Sequence, residues 1–249
     1  MKKKNKVLLL SLITTLGIIS CADKINGNAI DNTNNIEINN EEILPRAPFG
    51  YKYEDGKLIR DNNIFIEIYN YAYVKYDTEM YNAKNEVIGY VNQYDKVYAT
   101  ATNDIITVII REDGLNGYVY NNSIELMPKD FIEVDISEQK VNVYNNNENV
   151  LEADVVTGIP NHDTNIGYQE ILEKTYNRPL IGPTWNVHVD YFFPFNYDGE
   201  GFHDASWRNN FGDDIYLTNG SHGCVNMNLD DVKEMDKYIE VGTKVLVHK

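Results

Sequence analysis

The chain has 249 residues, enough for one large or two modest domains with a sizeable hydrophobic core. Its formal net charge of −16 at pH 7 argues against nucleic acid or an anionic membrane surface as an electrostatic partner. With only two cysteines, the chain is not a disulfide-stapled fold, so its core must hold it together.

The N-terminus has the features of an export signal. Residues 1–6 contain four lysines, and residues 7–19 form an apolar run of 13 residues. A membrane-spanning helix needs about 20 residues, so this run has the length of a signal-peptide core instead. It ends in Ile-Ile-Ser-Cys21, which resembles a bacterial lipobox. We predict a lipoprotein signal over residues 1–20 and a lipid attached to Cys21, which anchors an extracytoplasmic protein to the cell membrane.

Residues 21–44 are rich in asparagine and poor in apolar side chains, which predicts a flexible linker. Residues 45–127 then contain short β-branched and aromatic runs separated by Asp-Gly and Asn-Gly turn pairs. This pattern resembles a bacterial SH3-like domain, a small barrel, although Tyr118 stands where that family usually has tryptophan. The resemblance implies wall binding or positioning of the next domain, and a plain spacer is the alternative.

Met127-Pro128 marks a domain boundary, and three alternating strands are predicted after it. Their apolar positions are Ile132, Val134 and Ile136 in the first strand, Val141 and Val143 in the second, and Leu151, Ala153 and Val155 in the third. An asparagine cluster at 145–149 turns the chain between the second and third strands. The predicted fold class is all-β.

The chemistry is concentrated in Ser221-His222-Gly223-Cys224-Val225-Asn226, which contains the one cysteine other than Cys21. The small and turn-forming residues before it favour an exposed thiol at the end of a strand. His203 precedes Ser221 with 17 residues between them. A histidine and a cysteine in this arrangement are a candidate base and nucleophile.

Asn228 is a candidate N-cap, and Val232, Met235 and Ile239 recur at helical spacing. These residues predict a short helix that begins a few residues beyond Cys224. Backbone N–H groups near the start of that helix would favour a thiolate.

His203, the spacer and the Ser-His-Gly-Cys-Val-Asn run resemble the signature of the L,D-transpeptidase catalytic domain (YkuD-like), in the form found in Gram-positive bacteria. The resemblance covers residues 130–249 and implies a β-sandwich-like, all-β fold that includes the predicted helix. Residues 164–171 match the family only in Thr164, Gly167 and Tyr168.

The resemblance also assigns roles. Cys224 is the nucleophile and His203 the base, with the His203 ring oriented by the backbone carbonyl of Asp204 or by its side chain. Backbone N–H groups of His222, Gly223 and Cys224 form the oxyanion hole, and Ser221 shapes the same loop.

Asn226 hydrogen-bonds the loop or the substrate, and Asp204 also counts as a substrate-binding candidate. The segment 183–200 is rich in aromatic residues, and in the family it covers the substrate cleft. Tyr191 is the candidate cleft tyrosine. Three further histidines, His162, His188 and His248, are expected at the surface or in packing.

Other chemistries fit less well. A papain-like peptidase places its cysteine before its histidine, and a sortase needs an arginine after the cysteine, whereas residues 225–249 contain none. A zinc site formed by His203, His222 and Cys224 lacks a closed ligand set. A wall-binding module with an inactive catalytic domain remains the alternative of a different class.

We therefore predict a cysteine-dependent L,D-transpeptidase that acts on peptidoglycan stem peptides. The resemblance implies that Cys224 attacks the carbonyl of the third stem residue, releases D-alanine and passes the acyl group to an amine of a neighbouring stem. Water as acceptor would make the enzyme a carboxypeptidase, and a free amino acid would make it an exchange enzyme. We expect no metal, no cofactor, a monomer, and acylation of Cys224 by carbapenems.

Overall fold

A computed structural model describes residues 51–249, apart from residues 56, 62, 63 and 183–185. The predicted signal, Cys21, the linker and the first residues of segment 183–200 lie outside the described residues. In the part of the chain that is described, no helix is long and apolar enough to cross a membrane. A short hairpin of β1 (Tyr51–Glu54) and β2 (Lys57–Arg60) belongs to a compact unit of its own that ends at Arg60.

The second compact unit, Asp61–Lys249, begins with a seven-stranded antiparallel sheet. Its strands are β3 (Ile66–Val74), β4 (Thr78–Tyr81), β5 (Val87–Val91), β6 (Lys96–Thr102), β7 (Ile106–Ile110), β8 (Asn116–Tyr120) and β9 (Ile124–Leu126). The spatial order is β5-β4-β8-β7-β6-β3-β9. Burial alternates along β7, β8 and the first four residues of β6, as expected for strands with one face on a core. The SH3-like assignment of this sheet stays a prediction.

The remaining residues form two sheets and two short helices. Their elements are β10 (Phe131–Asp135), β11 (Lys140–Asn145), β12 (Glu148–Asp154), β13 (Gly167–Glu170), β14 (Thr175–Ile181), β15 (Asn186–Pro194), β16 (Gly201–Asp204), α1 (Ile215–Asn219), β17 (Val225–Met227), α2 (Leu229–Met235) and β18 (Lys244–His248). One sheet has the order β12-β11-β10-β18-β13, and the other β14-β15-β16-β17. The all-β prediction is confirmed.

The two sheets share one hydrophobic core. Phe193, Phe195 and Phe202 from the four-stranded side are fully or almost fully buried, and they lie in one cluster with the predicted apolar positions of β10 and β11. The helix α2 adds Val232 and Met235 to the cluster. This arrangement places one face of β16 in the core, so the alternate residues of β16 face away from it.

Two local predictions in this region are confirmed, and one differs in its extent. Asn146 and Asn147 both have positive φ and connect β11 to β12 in a tight hairpin. The side chain of Asn228 accepts a hydrogen bond from the backbone N–H of Asp230 and caps α2. The helix ends at Met235, earlier than the helical spacing predicted, and Ile239 is buried beyond it.

A buried polar cluster joins β6 of the seven-stranded sheet to β10 and β18. Lys96 Nζ lies 2.5 Å from Glu133 Oε1, and His248 Nε2 lies 2.9 Å from the same oxygen. The hydroxyl of Tyr144 bonds both Lys96 Nζ, at 3.1 Å, and Glu133 Oε2, at 3.2 Å. His248 therefore has a specific ionic partner in addition to the packing role expected from the sequence.

Candidate active site

The pairing of β16 with β17 assembles the site. The two strands run parallel, and His203 lies directly opposite Asn226. Opposite residues on neighbouring strands project to the same face of a sheet. Cys224 comes two residues before Asn226, and its Sγ lies 3.8 Å from the carbonyl oxygen of Gly199 and accepts a hydrogen bond from the backbone N–H of Gly201. Cys224 therefore lies directly before β17 and beside β16, the strand that carries His203.

His203 is buried, and one of its ring nitrogens is fixed. Its Nδ1 lies 2.8 Å from the backbone carbonyl oxygen of Asp204, which can only accept, so Nδ1 carries the proton and Nε2 carries the lone pair. The Asp204 carboxylate is used elsewhere, because its Oδ1 accepts from the backbone N–H groups of Asp190 and Tyr191, each at 2.8 Å. The carbonyl thus orients the ring, and the buried carboxylate supports β15 instead of contacting substrate.

The resting thiol is protonated. Burial raises the pKa of Cys224, the Glu200 charge raises it further, and the bond from Gly201 only partly opposes them, so that the pKa is about 11. Burial also lowers the pKa of His203, and nearby Arg208 lowers it further, although the Asp204 bond and charge oppose this shift. The predicted thiolate stabilisation by the helix start is wrong, because β17 separates Cys224 from α2. The pair rests as neutral thiol and neutral imidazole.

Four hydrogen bonds shape the loop before Cys224. Ser221 Oγ donates to the carbonyl oxygen of Cys224, at 2.5 Å, and accepts from the N–H of Gly223, at 3.1 Å. Thr164 Oγ1 donates to the carbonyl oxygen of Gly223, at 2.8 Å, and accepts from the N–H of Gly158. The Gly223 N–H is therefore already occupied, which corrects its predicted place in the oxyanion hole.

Gly223 is also the residue that the loop geometry demands. Its φ is +109°, and a Cβ built on it would lie 2.6 Å from Glu200 Oε1. The Glu200 carboxylate cannot easily move away, because it accepts from the N–H of Asn165 and from Nδ2 of Asn196. A side chain at position 223 would therefore strain the backbone and push against a fixed carboxylate.

The other predicted site residues lie as follows. His222 is exposed, and its ring lies 4.9 Å from that of His162. Asn226 is buried and contacts His203, so its predicted contact with substrate is not available in this structure. Tyr191 packs against the core with Phe193, on the opposite face of β15 from Phe192, and its assignment to the cleft stays a prediction. Phe192 is the residue directly opposite His203.

Aromatic rings flank the base. The ring centroids of Phe192 and Trp207 lie 6.4 Å and 5.8 Å from that of His203. Trp207 is 47% exposed, so this side of the site is open to solvent. The guanidinium of Arg178 lies 5.1 Å from the Phe192 centroid. Within the described part of the chain, no three His, Cys, Asp or Glu side chains are arranged to hold a metal ion.

Comparison with known proteins identifies the family of this part of the chain. Residues 129–247 match the YkuD family model, described as the L,D-transpeptidase catalytic domain. No curated protein sequence matches the chain. The region 129–247 belongs to the YkuD family of L,D-transpeptidase catalytic domains, which act on peptidoglycan stem peptides.

Similar solved structures include the catalytic domain of the E. faecium L,D-transpeptidase, with 34% identity over 49% of this chain and 98% of that chain, and a TM-score of 0.46. A structure of that domain acylated by ertapenem gives the same values. The avibactam carbamoyl enzyme of Ldtfm has 24% identity over 80% of this chain and 85% of that chain, with a TM-score of 0.50, which indicates a shared fold.

Sequence reasoning missed three residues of the site: Thr164, Glu200 and Arg208. Thr164 lies in a segment that partly keeps the family pattern, and this partial match was the one sequence feature that could have identified it. No sequence feature pointed to Glu200 or Arg208, because their roles depend on contacts with residues far along the chain.

Proposed function

We propose that the chain is a cysteine-dependent L,D-transpeptidase that cross-links peptidoglycan. The observation that supports this proposal is the pairing of β16 with β17, because Cys224 comes directly before β17 and His203 lies in β16, inside a catalytic domain of this family. Cys224 Sγ attacks the carbonyl carbon of the third stem residue while its proton passes to Nε2 of His203. The imidazolium then protonates the leaving amine, D-alanine departs, and a thioester remains.

The second half-reaction uses the same groups in reverse. An amine of a neighbouring stem attacks the thioester carbon, His203 takes the amine proton, and the sulfur leaves with a proton from the imidazolium. Because the pKa of Cys224 is about 11, roughly one thiol in ten thousand is ionised at pH 7. Proton transfer to His203 must therefore accompany the attack.

The developing oxyanion needs donors that are not already bonded. Gly223 is excluded, since its N–H donates to Ser221 Oγ. We assign the backbone N–H of Cys224 to this role, because it lies next to the attacking sulfur and the Ser221 bond fixes the backbone on its other side.

The test is to incubate the purified protein with a disaccharide-tetrapeptide and to follow the products by mass spectrometry. We expect a cross-linked dimer and free D-alanine. Tripeptide alone would identify water as the acceptor and make the enzyme a carboxypeptidase. Replacement of Cys224 by alanine should abolish all products while leaving the fold intact, and dimer formation by Cys224→Ala would refute the assignment.

A carbapenem provides an independent test of the nucleophile. Its opened ring should remain on Cys224 as a thioester, with the carbonyl oxygen at the Cys224 N–H. We expect one drug mass on the peptide that contains Cys224 and no adduct on Cys224→Ala. Absence of an adduct on the wild-type protein would favour an inactive, wall-binding module.

We also propose that the protein is a monomer on the outer side of the cell membrane, held by a lipid on Cys21 and facing the wall. This proposal has the support of the sequence alone, from the apolar run at 7–19 and the Ile-Ile-Ser-Cys21 ending. Cys21→Ala should move the protein from the membrane fraction to the wall or the medium. An unmodified N-terminus at another residue would exclude lipidation.

A further inference from the structure

Arg208 lies close to the base, and the reaction described above does not use it. It follows β16 in a turn, where its N–H donates to the carbonyl oxygen of Ala205. Its Nη1 donates to the carbonyl oxygen of Asn219, at 2.6 Å, at the end of α1. Its Nε and Nη2 lie 2.8 Å and 3.2 Å from one terminal atom of the Asn226 carboxamide, whose other terminal atom lies 3.1 Å from His203 Nε2. The guanidinium is thus held on two sides.

These contacts determine which way the Asn226 carboxamide points. Arg208 has only donors, so it requires the Asn226 oxygen. The Nε2 of neutral His203 is an acceptor, because Nδ1 donates to the carbonyl of Asp204. One orientation of the carboxamide satisfies both neighbours: the oxygen faces Arg208, and the nitrogen donates to His203 Nε2 at 3.1 Å.

We propose that Arg208 is a positioning residue that fixes the Asn226 carboxamide with its nitrogen toward His203 Nε2, and thereby keeps the imidazole neutral in the resting enzyme. A proton on Nε2 would point at the N–H of Asn226. The carboxamide could accept that proton only by turning over. Turning over would break two charge-assisted hydrogen bonds and aim an NH₂ group at a guanidinium.

Charged groups near His203 have opposite effects on its protonation. The Arg208 charge opposes protonation of His203, whereas the Asp204 carboxylate favours it. Cys224 is neutral at rest, and the Glu200 charge acts on its thiol by raising the pKa. The Asn226 bond adds a directional effect, because it distinguishes a lone pair on Nε2 from an N–H.

This inference rests on the proposed role of His203 as the base, and it also explains how His203 acts as an acid toward the leaving amine. When the thiol proton reaches Nε2, the Asn226 N–H must give way, so the imidazolium exists in an unfavourable setting. An imidazolium in that setting passes its proton readily to the leaving amine. Arg208 thus favours the acid half of the cycle and disfavours a resting thiolate–imidazolium pair, which would be open to alkylation.

The decisive variant is Arg208→Met, which keeps most of the length of the side chain and removes the donors. With Asn226 free to turn, the imidazolium gains an acceptor, and we expect His203 to titrate at higher pH in an NMR titration, with its signals assigned by comparison with His203→Ala. Each unit of that rise corresponds to about a tenfold change in the protonation equilibrium. Alkylation of Cys224 by iodoacetamide at pH 7 should become several-fold faster as the ion pair forms, while D-alanine release slows.

Arg208→Lys should partly restore both the wild-type pKa of His203 and the slow alkylation of Cys224, because one ammonium donor can still hold the Asn226 oxygen. A His203 titration unchanged in Arg208→Met would overturn the proposal, whatever happens to turnover, since loss of activity alone would indicate only structural support.

If Arg208→Met does not fold, Asn226→Ala tests the same contact, because it removes the N–H that faces Nε2 and adds no charge. The pKa of His203 should then rise, and an unchanged pKa would again overturn the proposal. Neither the titration nor the alkylation rate requires activity on stem peptides, so a failure of the proposed function would be seen separately.

Discussion

Replacement of Gly223 by alanine tests whether the loop before Cys224 is held rigidly. An alanine at φ +109° carries a backbone strain of about 1–3 kcal/mol. Its Cβ would also lie 2.6 Å from Glu200 Oε1, and overpacking of this kind costs about another 1–3 kcal/mol. We expect part of this strain to be relieved by a shift of the loop, which would carry Cys224 out of line with His203.

Gly242 offers a matched control. Its φ is +92°, and no atom would lie within 4 Å of an added Cβ. Gly242→Ala should therefore lose about 1–3 kcal/mol of unfolding free energy and retain its reactivity. Gly223→Ala should lose more, and its rate of carbapenem acylation should fall roughly a hundredfold, the usual effect of a 1 Å displacement in an active site.

Urea unfolding measures the stability of both variants, and the growth of the adduct mass with time measures acylation. The comparison separates backbone strain, which both variants share, from the collision with Glu200, which only one has. If Gly223→Ala were acylated as fast as Gly242→Ala, the contact with Glu200 would not be what positions the nucleophile.

Two further outcomes follow from the site and from the buried polar cluster. His203→Ala should slow acylation by roughly two or more orders of magnitude, whereas His222→Ala should do less because its ring is exposed; the reverse order would reassign the base. Burial raises the pKa of Glu133, but His248 and Lys96 outweigh burial and lower this pKa to about 2. Burial lowers the pKa of His248, but Glu133 outweighs burial and raises that pKa above 6.5. The ionised Glu133 therefore stabilises the fold above pH 4.5, and this stabilisation is lost as the pH falls toward 2. The protonated His248 stabilises the fold below pH 6.5, and this stabilisation is lost as the pH rises through its raised pKa. The difference in unfolding free energy between wild type and His248→Gln, measured in urea, should therefore be largest between pH 4.5 and 6.5, and a difference that grew above pH 6.5 would contradict this.

The sequence by itself determined the features that depend on neighbouring residues. The short strands within 45–127, the asparagine turn before β12 and the Asn228 cap all follow from propensities that act over a few positions. The run from Ser221 to Asn226 identified the family for a similar reason, because a catalytic loop is a short stretch with fixed chemistry. The all-β class followed from alternation, which is also local.

Tertiary structure alone decided how those pieces act together. His203 faces Asn226 because β16 and β17 pair in parallel, and no local pattern specifies that register. The face of β15 that meets His203 carries Phe192 and not Tyr191, because a strand alternates and its phase is set by its partner strands. The resting thiol is protonated because burial outweighs the nearby N–H donor, and burial is a property of the folded whole. The hold of Arg208 on Asn226, and of Lys96 on Glu133, likewise exists only once distant segments are packed together and water is excluded from between them.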